Sequence, residues 1–545
     1  MVHTSQVYLL DYGAGNVRSV INAVETQGFQ LKYIQSVEDF DKADKIIFPG
    51  VGAFASCMAK LEALGYVEPL RKYIASGRPF FGVCLGMQTL FEASEEGEGL
   101  IKGLGVVPSV ISKFEVPGLA VPHMGWNVAT VCKPNPILPH DQERYYFVHS
   151  FKAMPTETMR DWVMTTTTYG VEFVSSIFLN NVMATQFHPE KSGTAGLHIF
   201  RRFLELPDLI TAPAYPLADP AVGSKAGLAP RVIACLDVRA NDAGDLVVTK
   251  GDQYDVREKD DAGDVRNLGK PVELAKRYYE EGADEVTFLN ITSFRNSPLK
   301  DQPMLEVLRQ TSREVFVPLT IGGGIKDIVD PDGTARSALQ VADEYFRSGA
   351  DKVSIGSDAV LIAEAYIASG MQTGKSSIET ISAVYGSQAV VISVDPTRVY
   401  VQSPSDVKHH TIKTSVPGPN GESYCWYQCT IKGGRERRDL GAYELVRACE
   451  ALGAGEILLN CMDKDGTNSG YDHELISDIK KAVGIPVIAS SGAGRVEHFS
   501  ACLRECQPDA VLAAGIFHRQ EVPIAAVKTH LQEQGFAVRG AALSA

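Results

Sequence analysis

The sequence predicts an α/β protein of two domains, in which a sheet flanked by helices is followed by a (β/α)8 TIM barrel. Three observations support this. The chain has 545 residues, more than one hydrophobic core normally holds. A proline-rich stretch without apolar periodicity occupies 206–229, and short apolar segments in the second half form an internal repeat. We therefore expect domains at 1–205 and 230–545, joined by a linker over 206–229.

The composition is that of a globular protein, with 45% hydrophobic and 22% charged residues. Because 52 Lys and Arg face 66 Asp and Glu, the net charge is −14, which argues against nucleic-acid or membrane partners. An anionic substrate must then be held by local groups. The ten cysteines are irregularly spaced and form no disulfide framework. We expect a cytoplasmic monomer that needs no metal or cofactor.

The first domain alternates short buried strands with helical stretches, a pattern typical of a sheet covered on both faces. A helix is predicted from Val17 to Gln27. The predicted strands are QVYLLDYG (6–13), KIIFPG (45–50), PFFGVCLG (79–86) and NVMATQFHPE (181–190).

The second domain contains eight candidate strands separated by amphipathic helices, as a (β/α)8 barrel requires. These strands are 231–236, 285–290, 315–321, 352–356, 389–394, 456–460, 486–490 and 510–514. Segments of strands 1 to 4 recur in the same order in strands 5 to 8; for example, RVIACLD (231–237) matches AVVISVD (389–395). One half-barrel therefore occurs twice.

Cys84 lies where a buried strand runs into a helix, with Gly82 and Gly86 two residues to either side. Glycines at these positions permit the sharp turn of a nucleophile elbow, and the following helix points its positive end at the sulfur. A buried cysteine can also serve packing alone. The segment FHPEKSG (187–193) supplies His188 and Glu190, which face the same way on a strand, so the carboxylate can orient the imidazole.

Through PGVGAF (49–54), GVCLGMQ (82–88) and FHPEKSG (187–193), residues 1–205 resemble the class I glutamine amidotransferases. The resemblance implies that Cys84 attacks the side-chain amide of glutamine and that His188 protonates the leaving ammonia. The backbone at Gly50 and Gly52 would bind the oxyanion. Gln88, His149 and Ser150 match positions that hold glutamine in this family, although a helix-face amide and an ordinary strand end explain them equally well.

Two aspartates, Asp237 and Asp395, end strands 1 and 5, on opposite sides of the predicted barrel mouth. Opposed carboxylates at the carboxyl ends of barrel strands suit general acid–base catalysis. An aspartate at a strand end is also a common helix N-cap.

Glycine-rich loops follow strands 3 and 7, and backbone N–H groups in such loops can bind phosphate. With the ends of strands 4 and 8 they predict two phosphate sites. The residues are Gly323, Gly324, Gly356 and Ser357 for the first, and Gly492, Gly494, Ala514 and Gly515 for the second. Tight turns alone would also require glycine.

Through ACLDV (234–238), IGGGI (321–325), DKDGTNSGYD (463–472) and ASSGAG (489–494), residues 230–545 resemble the cyclases of histidine biosynthesis. The resemblance implies that the substrates are glutamine and PRFAR, a bis-phosphorylated ribulosyl aminoimidazole carboxamide. It also implies that Asp237 and Asp395 act as acid and base in an order the sequence leaves open. Lys250, Asp465 and Thr467 would contact the substrate. Segments 238–270 and 396–438 are longer than this family pattern.

Four charged residues begin strands 1, 2, 4 and 6 and should meet at the bottom of the barrel: Arg231, Glu285, Lys352 and Glu456. We expect them to form a gate through which ammonia enters. A salt-bridged floor that only closes the barrel is the alternative.

Two other functions remain open at this point. The barrel could be a sugar-phosphate isomerase, although isomerisation needs no nitrogen donor. The chain could also be a regulatory scaffold, although Cys84, His188 and the two aspartates are all present.

Overall fold

The computed structural model describes residues 5–139, 143–215, 227–240, 246–249, 268–291, 299 and 302–540. The chain forms two compact units. The first comprises Met1–Ala229 with Ser312–Val317 and Val384–Gly386, and the second comprises Pro230–Thr311, Pro318–Ala383 and Ser387–Ala545.

The first unit is a mixed sheet with helices. Its helices are α1 (Val17–Thr26), α2 (Asp39–Lys42), α3 (Phe54–Ala63), α4 (Val67–Ala75), α5 (Leu85–Gln88) and α6 (Gly193–Glu205). Its strands are β1 (Val7–Leu9), β2 (Leu31–Tyr33), β3 (Lys45–Gly50), β4 (Phe80–Cys84), β5 (Phe91–Ser94), β6 (Ile101–Lys102), β7 (Val107–Lys113), β8 (His123–Val128), β9 (Thr130–Val131), β10 (Arg144–His149), β11 (Phe151–Ala153), β12 (Val163–Tyr169), β13 (Val171–Leu179) and β14 (Val182–Thr185).

The main sheet of this unit has the order β2-β1-β3-β4-β14-β13-β11-β7-β5-β6. β3 and β14 both pair with β4 in parallel, so the segments that follow β4 and β14 meet at one sheet edge. This places the residues after Thr185 next to Cys84.

Two local interactions stabilise the start of α1 and the end of α6. Asn16 caps α1, since its side chain accepts a hydrogen bond from the backbone N–H of Ser19 at 3.1 Å. At the other end of the sheet, the buried Nζ of Lys45 donates to three carbonyls at the end of α6: Phe203, Leu204 and Leu206. Burial lowers the pKa of Lys45 to about 8.

The second unit is a closed barrel with an outer ring of helices. Its strands are β15 (Arg231–Ala240), β16 (Leu246–Thr249), β17 (Glu285–Asn290), β18 (Leu319–Gly322), β19 (Ile328–Val329), β20 (Ala335–Arg336), β21 (Lys352–Ile355), β22 (Val390–Val394), β23 (Pro396–Val401), β24 (Ile412–Lys413), β25 (Tyr424–Ile431), β26 (Glu436–Gly441), β27 (Glu456–Asn460), β28 (Val487–Ser490) and β29 (Ala510–Ala513). Its helices are α7 (Pro271–Glu280), α8 (Pro303–Thr311), α9 (Ala338–Ser348), α10 (Ser357–Ser369), α11 (Ser377–Tyr385), α12 (Ala442–Ala451), α13 (His473–Ala482), α14 (Val496–Glu505), α15 (Gly515–His518) and α16 (Ile524–Glu533).

The barrel strands run in the order β15-β17-β18-β21-β22-β27-β28-β29, all neighbours are parallel, and β29 pairs with β15 to close the ring. These are the predicted strands 1 to 8, and the predicted fold class is confirmed. Strand 3 begins at Leu319 rather than at the predicted 315. Pro318 precedes it, and proline cannot donate a ladder hydrogen bond. Inward-facing side chains such as Ile233, Val391 and Leu458 fill the interior.

The insertion 396–438 contributes most of a small antiparallel sheet in which β25 pairs with β23, β24 and β26. Arg398 in β23 forms an ion pair with Asp472 at 2.7 Å and another with Glu474 at 3.0 Å. The insertion is therefore attached to the N-terminal end of α13. The insertion 238–270 extends β15 and adds the antiparallel strand β16, and 250–267 lie outside the described residues.

No helix within the described ranges is both long and apolar enough to cross a membrane. Every cysteine of the sequence falls within those ranges, and each one is a free thiol.

Asp284, just before β17, anchors the C-terminal segment to the barrel. This buried carboxylate accepts hydrogen bonds from the backbone N–H of Val232 at 2.9 Å, from Lys528 of α16 at 2.6 Å and from Arg539 at 3.0 Å. Both cationic side chains are themselves almost fully buried.

We expect Asp284→Ala to lower the free energy of unfolding by about 3–5 kcal/mol, because it leaves two buried cations without their anion. Asp343→Ala, which removes an exposed pair with Arg347, is the control and should cost less than about 1 kcal/mol. Urea unfolding of both variants checks this, and equal midpoints would contradict it.

Candidate active sites

Cys84 occupies a strained turn between β4 and α5. Its φ is 53° and its ψ is −105°, a conformation that a non-glycine residue rarely adopts. A Cβ on Gly86 would lie 1.9 Å from the carbonyl oxygen of Phe48, and one on Gly82 would lie 2.6 Å from the carbonyl oxygen of Gly86. The predicted strand, turn and helix are present, and the two glycines are required because the backbone segments approach so closely.

The side chains that surround Cys84 come from the segment after β14. His188 Nδ1 lies 2.8 Å from an oxygen of Glu190, and both residues are almost fully buried. Gln186, also buried, donates from Nε2 to Cys84 Sγ at 3.4 Å. The sequence reasoning did not single out Gln186, because its contact with sulfur depends on the parallel pairing of β14 with β4.

The charge state of His188 follows from its neighbours. Burial by itself lowers the pKa of His188, but the negative charges of Cys84 and Glu190 outweigh it and hold the pKa well above its ordinary value. Nε2 of His188 has no hydrogen-bond partner among the described residues. A protonated imidazole with this nitrogen unoccupied can donate a proton to a leaving group.

The residues predicted to hold glutamine lie beside this group. Gln88 Nε2 donates to Gln186 Oε1 at 3.0 Å and to the Phe151 carbonyl at 3.3 Å. His149 Nδ1 lies 2.7 Å from the same carbonyl, so Nδ1 carries the proton and Nε2 accepts from His123 at 3.1 Å. Burial lowers the pKa of His149 to about 3. The ring of His149 is thus neutral and engaged at both nitrogens, and the carbonyl of the half-buried Ser150 accepts from the backbone N–H of Phe114 at 3.0 Å.

The backbone predicted to bind an oxyanion is also close to Cys84. Gly50 ends β3 and is the register partner of Cys84 in β4. A Cβ on Gly50 would lie 2.6 Å from Cβ of Leu85, so this position also requires glycine. Gly52 has a φ of 145°, which turns the chain after β3.

The second site is a cavity of about 870 Å³ in the barrel unit. Asp237, which lies inside β15 rather than at its end, and Asp395, directly after β22, both line it. Most of the remaining predicted contacts line it too: Gly323, Gly324, Gly356, Ser357, Asp465, Gly492, Ala514 and Gly515. The structure therefore brings the opposed carboxylates and the two glycine loops into one space, as the strand order requires.

Two predicted residues, Gly494 and Thr467, do not line this cavity, and the placement of a third is not described. Gly494 donates its backbone N–H to His498 Nδ1 at 3.1 Å. Thr467 is exposed and donates to the carbonyl of Lys464 at 2.7 Å. Lys250 lies outside the described residues.

Asp395 lies beside one hydrogen-bond donor and a second carboxylate. The amide of Asn460 donates to its Oδ1 at 3.0 Å, and Asp465 is close enough to repel it. Burial raises the pKa of Asp395, with a further increase from Asp465 that the Asn460 hydrogen bond opposes. The carboxyl of Asp395 is therefore easier to protonate than that of an ordinary aspartate. Asn460 was missed because its role depends on β22 and β27 being neighbours.

The insertion after strand 5 also reaches the cavity, which the sequence did not indicate. Lys432, Gly433 and Arg435 line it from the turn between β25 and β26. The backbone N–H of Lys432 donates to the hydroxyl of Ser357 at 2.9 Å, beside one glycine loop. This turn brings two cationic residues to a cavity that Asp237 and Asp395 also line.

The four charged residues at the strand starts meet inside the barrel. Arg231 binds Glu285 at 2.9 Å and also binds Glu456, while Lys352 binds Glu285 at 2.7 Å and Glu456 at 2.6 Å. All four are buried. Burial alone would raise the pKa of Glu285, but Lys352 and Arg231 hold it below its ordinary value. The predicted contact of the four side chains is present, and their charges cancel.

Comparison with known families assigns each unit to a class. Residues 8–206 match the family described as "Glutamine amidotransferase class-I". Residues 231–523 match the family described as "Histidine biosynthesis protein".

Relatives of known name match the whole chain. The "Imidazole glycerol phosphate synthase hisHF, chloroplastic" of Arabidopsis thaliana is 58% identical over 98% of this chain and 90% of its own length. The "Imidazole glycerol phosphate synthase hisHF" of Emericella nidulans is 56% identical over 98% of both chains. The "Imidazole glycerol phosphate synthase subunit HisF" of Corynebacterium glutamicum is 40% identical over 57% of this chain. The chain belongs to the family of bifunctional imidazole glycerol phosphate synthases, enzymes of histidine biosynthesis that join a glutamine amidotransferase to a cyclase.

We expect Glu190→Gln to lower kcat for glutamine hydrolysis by about one to two orders of magnitude. Glu190 raises the pKa of His188, so its neutralisation lowers that pKa, and the protonated imidazole is lost at a lower pH. The alkaline limb of the pH–rate profile should therefore move to lower pH. Glu68→Gln, which removes an exposed pair with Arg71, is the matched control. An unchanged alkaline limb in Glu190→Gln would contradict the assignment.

Proposed function

We propose that residues 1–205 form a glutaminase domain and residues 230–545 a cyclase domain of one imidazole glycerol phosphate synthase. Glutamine is hydrolysed to glutamate and ammonia, and the ammonia converts PRFAR to imidazole glycerol phosphate and aminoimidazole carboxamide ribotide, which returns to purine synthesis. The observation that carries this proposal is the presence, on one chain, of the Cys84–His188–Glu190 group and a barrel cavity lined by Asp237 and Asp395.

In the glutaminase step, Cys84 Sγ attacks the amide carbon of glutamine. His188 then donates a proton from Nε2 to the departing nitrogen, and ammonia leaves behind a thioester, which water hydrolyses to glutamate. Glu190 supports the charged imidazole through Nδ1. Backbone N–H groups at Gly50–Gly52 and after Cys84 stabilise the oxyanion, since they lie beside the sulfur on paired strands.

Glutamine itself is held by Gln88 and by the backbone of His149 and Ser150. The backbone rather than the imidazole makes this contact because the ring of His149 is neutral, buried and already bonded at both nitrogens. Gln186 keeps the sulfur oriented through its amide.

In the cyclase step, ammonia adds to PRFAR between the two aspartates. Asp395 is assigned the acid, since burial and Asp465 raise its pKa and favour its protonated form. Asp237 is then the base on the opposite side of the cavity. Asp465 lies near the reacting centre beside Asp395.

The two phosphates of PRFAR are held at the two glycine loops. Gly323 has a φ of 96° and Gly492 a φ of 99°, and a Cβ on either would lie 2.2 Å from a carbonyl oxygen. Both glycines line the cavity and have no room for a side chain, so their backbone can approach a phosphate closely. Lys432 and Arg435 add positive charge at the loop that ends in Ser357. The sequence resemblance alone supports Lys250, Thr467 and Gly494 as substrate contacts, since the latter two do not line the cavity.

Ammonia passes into the barrel at the end where Arg231, Glu285, Lys352 and Glu456 meet. A closed route keeps the nitrogen unprotonated, and a ring of four charges that cancel can open by exchange of partners without leaving a net charge buried.

The chain is proposed to act as a monomer in the cytoplasm. Both activities lie on one polypeptide, and ten free thiols suit a reducing compartment. One relative is named as chloroplastic, so cell fractionation with an antibody against the chain is the direct test of compartment.

We expect Cys84→Ala to lose glutamine-dependent synthesis by roughly a thousandfold or more but to keep synthesis from PRFAR and ammonium salts, because the cyclase site is intact. Asp237→Asn should fail with either nitrogen source. Product formation is measured with both donors. Loss of ammonium-dependent activity in Cys84→Ala, or its survival in Asp237→Asn, would contradict the division of labour.

We expect Lys352→Met to uncouple the two reactions, so that more glutamine is hydrolysed than product is formed, because removing one cation disrupts the ring. Lys352→Arg keeps the charge and should remain closer to one-to-one. Ammonium-dependent synthesis in each variant reports whether the barrel is folded. One-to-one coupling in a folded Lys352→Met, and likewise in Arg231→Ala, would show that the ring is only a floor.

A further inference from the structure

Three soft metal-ligating side chains converge on the outer ring of the barrel, away from the cavity. A ring nitrogen of His473 and the sulfurs of Cys502 and Cys506 all lie within 4.8 Å of one another. His473 is the first residue of α13, Cys502 lies in the last turns of α14, and Cys506 is its C-cap. None of these residues lines the cavity or has a role in the proposed reaction.

The distances fit a single ion. Zn²⁺ binds sulfur at about 2.3 Å and nitrogen at about 2.0 Å, so ligand atoms around one tetrahedral ion lie roughly 3.5–4 Å apart. Cysteines separated by three residues fall within the spacing of known zinc ligands. Thiolate and imidazole together favour zinc over magnesium or calcium.

The imidazole of His473 is held by a neighbouring carboxylate. Its Nδ1 lies 2.7 Å from Oε2 of Glu505, so Nδ1 carries the proton and the lone pair is on Nε2. A carboxylate that holds the far nitrogen of a ligating histidine is the usual outer partner in zinc sites.

The two sulfurs interact with each other, and Cys506 also interacts with the side chain of Ser477. Cys502 is fully buried, and Cys506 donates weakly to the carbonyl of His473 at 3.5 Å. His473 is about one-third exposed, so an ion can enter from solvent and a water molecule can complete its coordination.

We propose that His473, Cys502 and Cys506 form a zinc site that joins α13 to α14. Zn²⁺ displaces the two thiol protons, which go to solvent, and takes its fourth ligand from water. The site is independent of the proposed reaction. Its effect is on stability, since it links the helices that follow barrel strands 6 and 7.

The test uses the full chain, treated with a chelator, dialysed and titrated with Zn²⁺ and, separately, with Co²⁺. We expect one equivalent of tightly bound zinc, a thiolate-to-cobalt charge-transfer band, and a rise in melting temperature of about 5 °C at saturating zinc. His473→Ala, Cys502→Ala and Cys506→Ala should each lose the bound equivalent and the rise. His473→Ala is the key variant because its partly exposed side chain can be removed without opening the core.

Two controls separate this site from other thiols. Cys449→Ala removes another fully buried helical cysteine, and Cys84→Ala removes the proposed nucleophile; both should keep the equivalent. Glu505→Gln should bind zinc about tenfold more weakly. The proposal fails if the wild type binds no zinc, if His473→Ala binds as tightly as the wild type, or if Cys502 and Cys506 oxidise to a disulfide instead of taking up the metal.

Discussion

Closure of the barrel, by pairing of β29 with β15, is the constraint on which the rest of the second unit depends. In a closed ring of parallel strands all carboxyl ends face one mouth and all starts face one floor. Asp237 and Asp395, which are far apart in sequence, therefore line the same cavity. The same closure buries Arg231 between two glutamates from strands 2 and 6. An open sheet would leave these groups at separate edges.

The first unit depends on an equivalent constraint at smaller scale. β4 pairs with both β3 and β14, so the turn after each strand meets the others around Cys84. The backbone is packed so tightly there that Gly86 has no room for a methyl group beside Phe48. Cys84, His188 and Gln186 are held in place by the packed main chain around them, which is the preorganisation that the proposed catalysis requires.

How much the sequence could predict depended on whether a feature was local. KIIFPG at 45–50 became a strand with the predicted bounds, and the repeat placed Asp237 and Asp395 on barrel strands 1 and 5. Gln186 and Asn460 were missed because each acts on a residue of a neighbouring strand, and only the strand order reveals that contact. No role could be predicted for the insertion 396–438, because its cationic turn reaches the cavity only through the fold, which places it beside Ser357. The side chain of His149, engaged with His123, could not have been inferred from its place at a strand end.

The anchor at Asp284 shows that the two halves of the barrel are no longer interchangeable. In the second half the matching residue is Gly455, where a Cβ would lie 2.2 Å from the carbonyl oxygen of Ser387. The first half thus carries the carboxylate that binds α16, and the second half is packed too closely at Gly455 to carry one. A barrel assembled from two copies of the second half would lack the carboxylate to which α16 is attached. The two halves of the duplicated barrel therefore have different structural roles at this position.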